Sequence, residues 1–150
     1  ECNHGHHHGH ECGPDCDHDH DHDHGELYAD LKEQPTVYSF SKSIELDEGI
    51  TGKELTTVLS GWIEELSGWA HENKYLIGHI KTFTESPEGS LWLASTGRGI
   101  NAKASGGWDS AVVKSFVLNL AEIIFGPDKT ALENKTLEIL RSKLPSYKET

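Results

Sequence analysis

TGKELTTVLSGWIEELSGWA (residues 51–70) is the stretch of the sequence that decides the fold. Its first residues have the form of a capping box, in which the Thr51 side chain accepts from an early helix amide and Glu54 reaches back. Beyond Glu54, apolar residues recur at intervals of three and four, which is the spacing of one helix face. The pattern predicts a helix that ends near Asn73.

Strand patterns flank this helix on both sides. Residues 36–46 alternate apolar and polar side chains, which predicts a half-buried strand before the helix. Residues 75–84, 91–96 and 100–105 predict three strands after it, joined by tight turns. Three adjacent strands joined in this way indicate an antiparallel meander.

Two further helices are predicted in the last third of the chain. Asp109 is a good N-cap, and a wide apolar face follows it as far as Ile124. Asp128 is placed to cap a last helix that runs to Leu144. The predicted elements follow in the order strand, helix, three strands and two helices. This order favours a two-layer α+β fold, in which an antiparallel sheet of about four strands carries its helices on one face. A single domain is expected over residues 26–150.

The first 25 residues differ in composition from the rest. The chain has 11 histidines and a formal net charge of −12. Residues 1–25 hold nine of the histidines, all three cysteines and seven acidic residues, with no Lys or Arg. They offer little to bury, so a disordered leader is expected. The other 125 residues, with 18 acidic and 13 basic side chains, have the composition of an ordinary domain.

The leader has the composition of a metal-binding segment. Imidazole is the commonest protein ligand for zinc, copper and nickel, and thiolate suits the softer of these ions. In an extended chain alternate residues point the same way, so the Asp-His alternation of residues 17–24 lets several imidazoles converge on one ion or share several. The intervening carboxylates can accept hydrogen bonds from the ring N–H groups. The predicted metal ligands are Cys2, His4, His6, His7, His8, His10, Cys12, Cys16, His18, His20, His22 and His24.

The number of ligands bears on the kind of site. Twelve Cys and His side chains without a unique set of four indicate several ions at modest, pH-dependent affinity rather than one closed structural site. Nickel or zinc is expected first, with cobalt and copper as alternatives. The expected role is to buffer, store or deliver these ions to a client metalloenzyme or its maturation factor. A purification tag would lack the regular Asp, and a solvated acidic tail would need no histidine.

On these residues the leader resembles the histidine-rich segments of nickel and zinc accessory proteins. These are the hydrogenase and urease maturation factors and the CobW-type metal-handling GTPases. The resemblance covers about 25 residues, is one of composition, and implies a metallochaperone. The GTPases carry a phosphate-binding loop of the form G-x-x-x-x-G-K-[ST], whereas the single Gly-Lys here, Gly52-Lys53, is followed by Glu54. This departure speaks against nucleotide-driven delivery.

Two weaker candidate sites lie outside the leader. His71 is predicted near the end of the first helix, and His79 in the following strand, on the same face as Ile77. The two histidines would form a second metal site if the helix end packs near the strand start. A lone surface or core-edge histidine is the commoner interpretation. Arg98 and Lys103, with the turn glycines, are candidate contacts for an anion. The alternative is that these glycines only form a hairpin turn.

Other functions and partners are disfavoured by the sequence. No catalytic motif is present, so an enzyme is less expected than a binding protein. The acidic balance argues against nucleic-acid binding, and Asp109 begins the helix where a double-stranded-RNA-binding domain, which has a similar element order, needs basic residues. No stretch is suited to cross a bilayer, and the first residues do not resemble a secretory signal, so no membrane contact and a cytoplasmic location are expected. Trp108 is the tryptophan expected to be exposed to a partner.

In the metallochaperone interpretation, the domain docks the leader to a target or forms a homo-oligomer. Two alternative functions remain open. In the first alternative, the domain is a protein-interaction or regulatory module and the leader is a metal sensor or sink. In the second, the domain is a small metal-dependent enzyme that receives its metal ion from its own leader.

Overall fold

The computed structural model describes residues 34–150, which form one antiparallel sheet with two helices. In chain order the elements are β1 (Pro35–Thr51), α1 (Gly52–Glu72), β2 (Leu76–Ser86), β3 (Gly89–Ser95), β4 (Asn101–Ala104), a 3-10 helix (Trp108–Ser110), β5 (Val112–Phe125), α2 (Lys129–Lys143) and β6 (Tyr147–Glu149). The strand order in the sheet is β4-β3-β2-β5-β1-β6, and every neighbouring pair is antiparallel. The α+β class is therefore confirmed, with six strands where about four were predicted.

Local sequence decides where α1 begins and ends. The Thr51 hydroxyl accepts from the Glu54 amide at 3.1 Å, and the Glu54 carboxylate accepts from the Thr51 amide at 2.9 Å. This is the predicted capping box. The helix ends at Glu72, with Asn73 as its C-cap, as the sequence pattern predicts.

Replacing Thr51 with Ala is expected to lower the free energy of unfolding by about 1 kcal/mol, because the Glu54 amide loses its acceptor at the helix start. Urea unfolding followed by circular dichroism measures this. Thr51→Ser keeps the hydroxyl and is the matched control, expected within about 0.5 kcal/mol of the parent protein. An equal loss in both variants would assign the effect to the end of β1 and contradict the role of the cap.

The helix predicted over residues 109–124 is wrong, because this segment is strand β5 in the centre of the sheet. Asp109 lies instead in the short 3-10 helix before it. The even-numbered side chains from Phe116 to Ile124 are buried, and the odd-numbered ones between them face the other side. The segment is apolar on both faces and rich in β-branched residues, so it suits a central strand as well as a helix. Pairing with β1 on one side and β2 on the other decides in favour of the strand.

Both helices cover one face of the sheet, as predicted. The Trp62 indole on α1 donates to the Thr136 carbonyl on α2 at 3.0 Å, and the Thr136 hydroxyl donates to Glu122 on β5 at 2.7 Å. The predicted cap of α2 is also confirmed, since the Asp128 carboxylate accepts from the Ala131 amide at 2.8 Å. The hydrophobic core lies between this face and the helices. The opposite face, which neither described helix covers, is called the open face below.

The helices also bear on the membrane prediction. Neither α1 nor α2, the helices of the described range, combines the length and apolar composition that a bilayer crossing requires.

Candidate functional site

The predicted metal ligands of the leader lie outside the residues that the structure describes. Their assignment, and the division into a leader and a domain at residue 25, therefore stay predictions from the sequence. Within residues 34–150, no three His, Cys, Asp or Glu side chains are grouped so that they could hold a metal ion.

His71 lies in the last turn of α1, where its side chain is exposed. It lines a hollow of about 230 Å³ together with Glu64, Ser67 and Gly97. A Cβ placed on Gly97 would stand 3.2 Å from the His71 Nε2 atom, and Gly97 has a positive φ of 92°. Both facts favour glycine beside this imidazole.

His79 lies on the open face because β2 contains a bulge. The register with β5 shifts between Ile77 and His79, so Ile77 is buried under the helices while His79 shares the open face with Lys81. Gly78 occupies the bulge, where a Cβ would stand 3.0 Å from the Ile123 carbonyl oxygen. The predicted shared face of Ile77 and His79 is therefore wrong, because one extra residue reverses the side-chain alternation.

The two domain histidines line different hollows. His79 lines a hollow of about 270 Å³ that also contains Arg98. This hollow and the one at His71 have Ser95, Gly99 and Ile100 in common as wall residues. The structure thus brings His71 and His79 to neighbouring hollows but not to a common one, and a metal site made by the pair stays a prediction.

The turn at residues 96–99 is closed by a buried hydroxyl. The Ser95 side chain accepts from the Gly97 amide at 3.0 Å and donates to the Gly99 carbonyl at 2.7 Å. The Gly97 amide is therefore already satisfied and is not directed at an anion. Arg98 lines the His79 hollow, whereas Lys103 on β4 lines the next hollow along the open face. Arg98 and Lys103, the two predicted anion contacts, therefore line different hollows and do not form one anion site with the turn amides.

The exposed tryptophan is Trp92, not Trp108. Trp108 is 1% exposed and its indole donates to the Thr56 hydroxyl at 2.9 Å, so its predicted exposure is wrong. The 3-10 helix places Trp108 against the start of α1, where Gly52 leaves room for the Trp108 carbonyl group and for the edge of its indole. Trp92 is 49% exposed on the open face and stacks on Phe83 with ring centroids 4.3 Å apart. Its position between two buried leucines on an alternating strand was the sequence signal for this exposure.

Glu122 is a titratable group that the sequence analysis missed. Its side chain is 0% exposed on the helix-covered face of β5. Oε1 accepts from the Thr136 hydroxyl at 2.7 Å, and Oε2 has no hydrogen-bond partner among the described residues. Burial raises the pKa of Glu122 to about 7, against the lowering effect of the Thr136 hydrogen bond. Burial likewise raises the pKa of Tyr38, with further contributions from the charges of Glu133 and Glu122.

Comparison with known proteins gives two structural likenesses. No family model and no curated protein matches the chain. The Zn(II)-bound YjiA GTPase from E. coli is similar at a TM-score of 0.36 and 13% identity, over 69% of this chain and 29% of that one. A Zn(II)-bound triple mutant of YjiA GTPase is similar at a TM-score of 0.38, with the same identity and coverage. The chain thus spans less than a third of the length of these proteins, and likenesses of this size carry no conclusion about function.

Proposed function

We propose that the protein binds transition-metal ions, nickel or zinc first, and buffers, stores or delivers them as a metallochaperone for metalloenzyme maturation. The observation that carries this proposal is the concentration of nine histidines and three cysteines in the first 24 residues, which contain no Lys or Arg. Neutral imidazole and thiolate are the ligands that these ions prefer.

Several features favour transfer over permanent retention. The leader has three times the four ligands of a structural zinc site, without a fixed spacing that would select one set. Redundant ligands allow an ion to move between neighbouring sets and on to a tighter site. The carboxylates that alternate with His18, His20, His22 and His24 add negative potential that attracts cations.

The proposal is tested by metal uptake of the dialysed full-length protein. The parent protein is expected to retain more than one Ni²⁺ or Zn²⁺ per chain, measured by elemental analysis after equilibrium dialysis. A variant with the nine leader histidines changed to Gln and the three cysteines to Ser is expected to retain few or none, because it keeps the leader's acidic residues but loses imidazole and thiolate.

A matched control separates the leader from the domain. The double variant His71→Gln/His79→Gln removes the domain's two histidines and is expected to retain as many ions as the parent protein. Equal uptake by the parent protein and the leader variant would overturn the proposal. Loss of one tightly held ion in the domain variant alone would instead place a metal site in the domain.

A further inference from the structure

The open face carries a hollow whose chemistry the metal proposal does not use. It has a volume of about 370 Å³ and lies where β2, β3 and β4 run side by side. We call it the Trp92 hollow. Its lining residues are Lys81, Thr82, Trp92, Leu93, Ala94, Asn101, Ala102 and Lys103.

Trp92 provides a fixed aromatic surface in this hollow. Phe83, its partner across the β2–β3 pair, stacks on one face of the indole at an interplanar angle of 27°. Trp92 is nevertheless 49% exposed, so much of the ring system remains accessible to a ligand. A ring held in place by a neighbour loses little conformational entropy when a planar group stacks on it.

Two lysines place positive charge around the indole. Lys103 on β4 lies directly opposite Trp92 in the β3–β4 register, and Lys81 on β2 lies opposite Ala94. Both are exposed, and neither belongs to an ion pair within residues 34–150. Arg98 lies in the adjoining hollow, which also contains Lys81.

This local charge differs in sign from that of the chain, whose formal net charge is −12. The nearest acidic residue along the same face of β2 is Glu85, two residues beyond Phe83 and opposite Ser90 on β3. The Trp92 hollow is therefore a positive region on an acidic protein and is complementary to a small anion.

We propose that the Trp92 hollow binds a free nucleotide. The base stacks on the accessible part of the Trp92 indole, the phosphate group is held by Lys81 and Lys103, and the Asn101 amide is placed to hydrogen-bond a polar edge of the ligand. The volume matches that of a small-molecule site. The chain's acidity favours a mononucleotide over a nucleic-acid strand, since a long polyanion meets the repulsion of the whole protein.

AMP titration of the full-length protein tests this proposal. EDTA is present, so that no metal held by the leader bridges to the phosphate. Saturable AMP binding is expected, and Trp92→Ala is expected to weaken it about tenfold or more through the loss of base stacking. Trp92→Phe keeps an aromatic ring and is expected to retain most of the affinity. The double variant Lys81→Gln/Lys103→Gln is expected to weaken AMP binding and reduce its dependence on salt.

Matched controls identify the groups involved. Lys53→Gln removes an exposed lysine from α1 and is expected to leave AMP binding unchanged. Adenosine, which lacks the phosphate, is expected to bind the parent protein more weakly than AMP does. Because adenosine makes no phosphate contact, the double lysine variant is expected to bind it with the same affinity as the parent protein. The leader variant without His and Cys is expected to bind AMP like the parent protein, so the outcome of this experiment is independent of the metal proposal.

Three results would overturn the proposal. The first is no saturable AMP binding by the parent protein. The second is unchanged AMP affinity in Trp92→Ala. The third is binding of a single-stranded RNA oligomer far more tightly than AMP at physiological salt, with the same loss in Trp92→Ala, which would make the open face a nucleic-acid surface.

Discussion

At pH 5 the full-length protein is expected to bind nickel or zinc about a thousandfold more weakly than at pH 7.5. A histidine must be neutral to ligate a metal ion, and an unperturbed imidazole titrates near pH 6.5. Between these two pH values the neutral fraction falls about thirtyfold for each imidazole, so an ion held by two imidazoles loses about a thousandfold. Protonation of the nine leader histidines also moves the formal charge of residues 1–25 from −7 to about +2, which repels the cation.

Competition with a chelating indicator at several pH values measures this change, once the indicator's own proton binding is taken into account. The leader variant, with Gln in place of its histidines and Ser in place of its cysteines, is the control, and its residual binding should change little over the imidazole range. An affinity of the parent protein that stays constant between pH 5 and 7.5 would contradict binding by imidazole. An affinity that already falls steadily from about pH 8.5 downward, rather than from about pH 6.5, would assign the ions to the three cysteines instead, because a thiol must lose its proton to ligate a metal ion and free thiols titrate near pH 8.5.

Structural features that depend only on residues close in sequence could be predicted, whereas features that depend on distant residues could not. The capping box at Thr51 and the N-cap at Asp128 act within four residues, and both appear in the structure as predicted. The strand nature of β5 is not local. Its apolar side chains occupy both faces, and only the strands on either side distinguish it from a buried helix. For this reason the sequence pattern of residues 109–124 predicts a helix where the structure has the central strand β5.

The same distinction applies to the candidate sites. The leader is proposed to bind metal ions from its composition alone, which needs no knowledge of the fold. The relation of His71 to His79 depends on a one-residue bulge at Gly78, which no periodicity in the sequence reveals. The exposure of Trp92 was predictable from the alternation on β3, whereas its neighbours Lys81 and Lys103 are separated from it in sequence and meet it only through strand register.

Glu122→Gln is expected to stabilise the folded protein at pH 8 by about 2 kcal/mol, because it removes a carboxylate that must ionise in the core. The folded-state pKa of Glu122 is about 7 against an ordinary value of 4.5. Between these values the folded chain holds a proton that the unfolded chain has released. The contribution of this group to stability is therefore fully present below pH 4.5, falls as the pH rises toward 7, and is lost above it. The full shift corresponds to about 3 kcal/mol, from which the cost of burying the Gln amide is subtracted.

The difference between the unfolding free energies of the parent protein and Glu122→Gln, measured from pH 4.5 to 8, isolates this group because all other titrations are common to both chains. The Gln carbonyl can still accept from the Thr136 hydroxyl, so the hydrogen bond to α2 is kept. Glu138→Gln on α2 is the control, since Glu138 is exposed and its ion pair with Lys135 lies at the surface. It is expected to change stability by less than about 0.5 kcal/mol at any of these pH values. Parallel pH profiles of the parent protein and Glu122→Gln would show that the buried carboxyl does not hold its proton, and that its charge is stabilised in the core by other means.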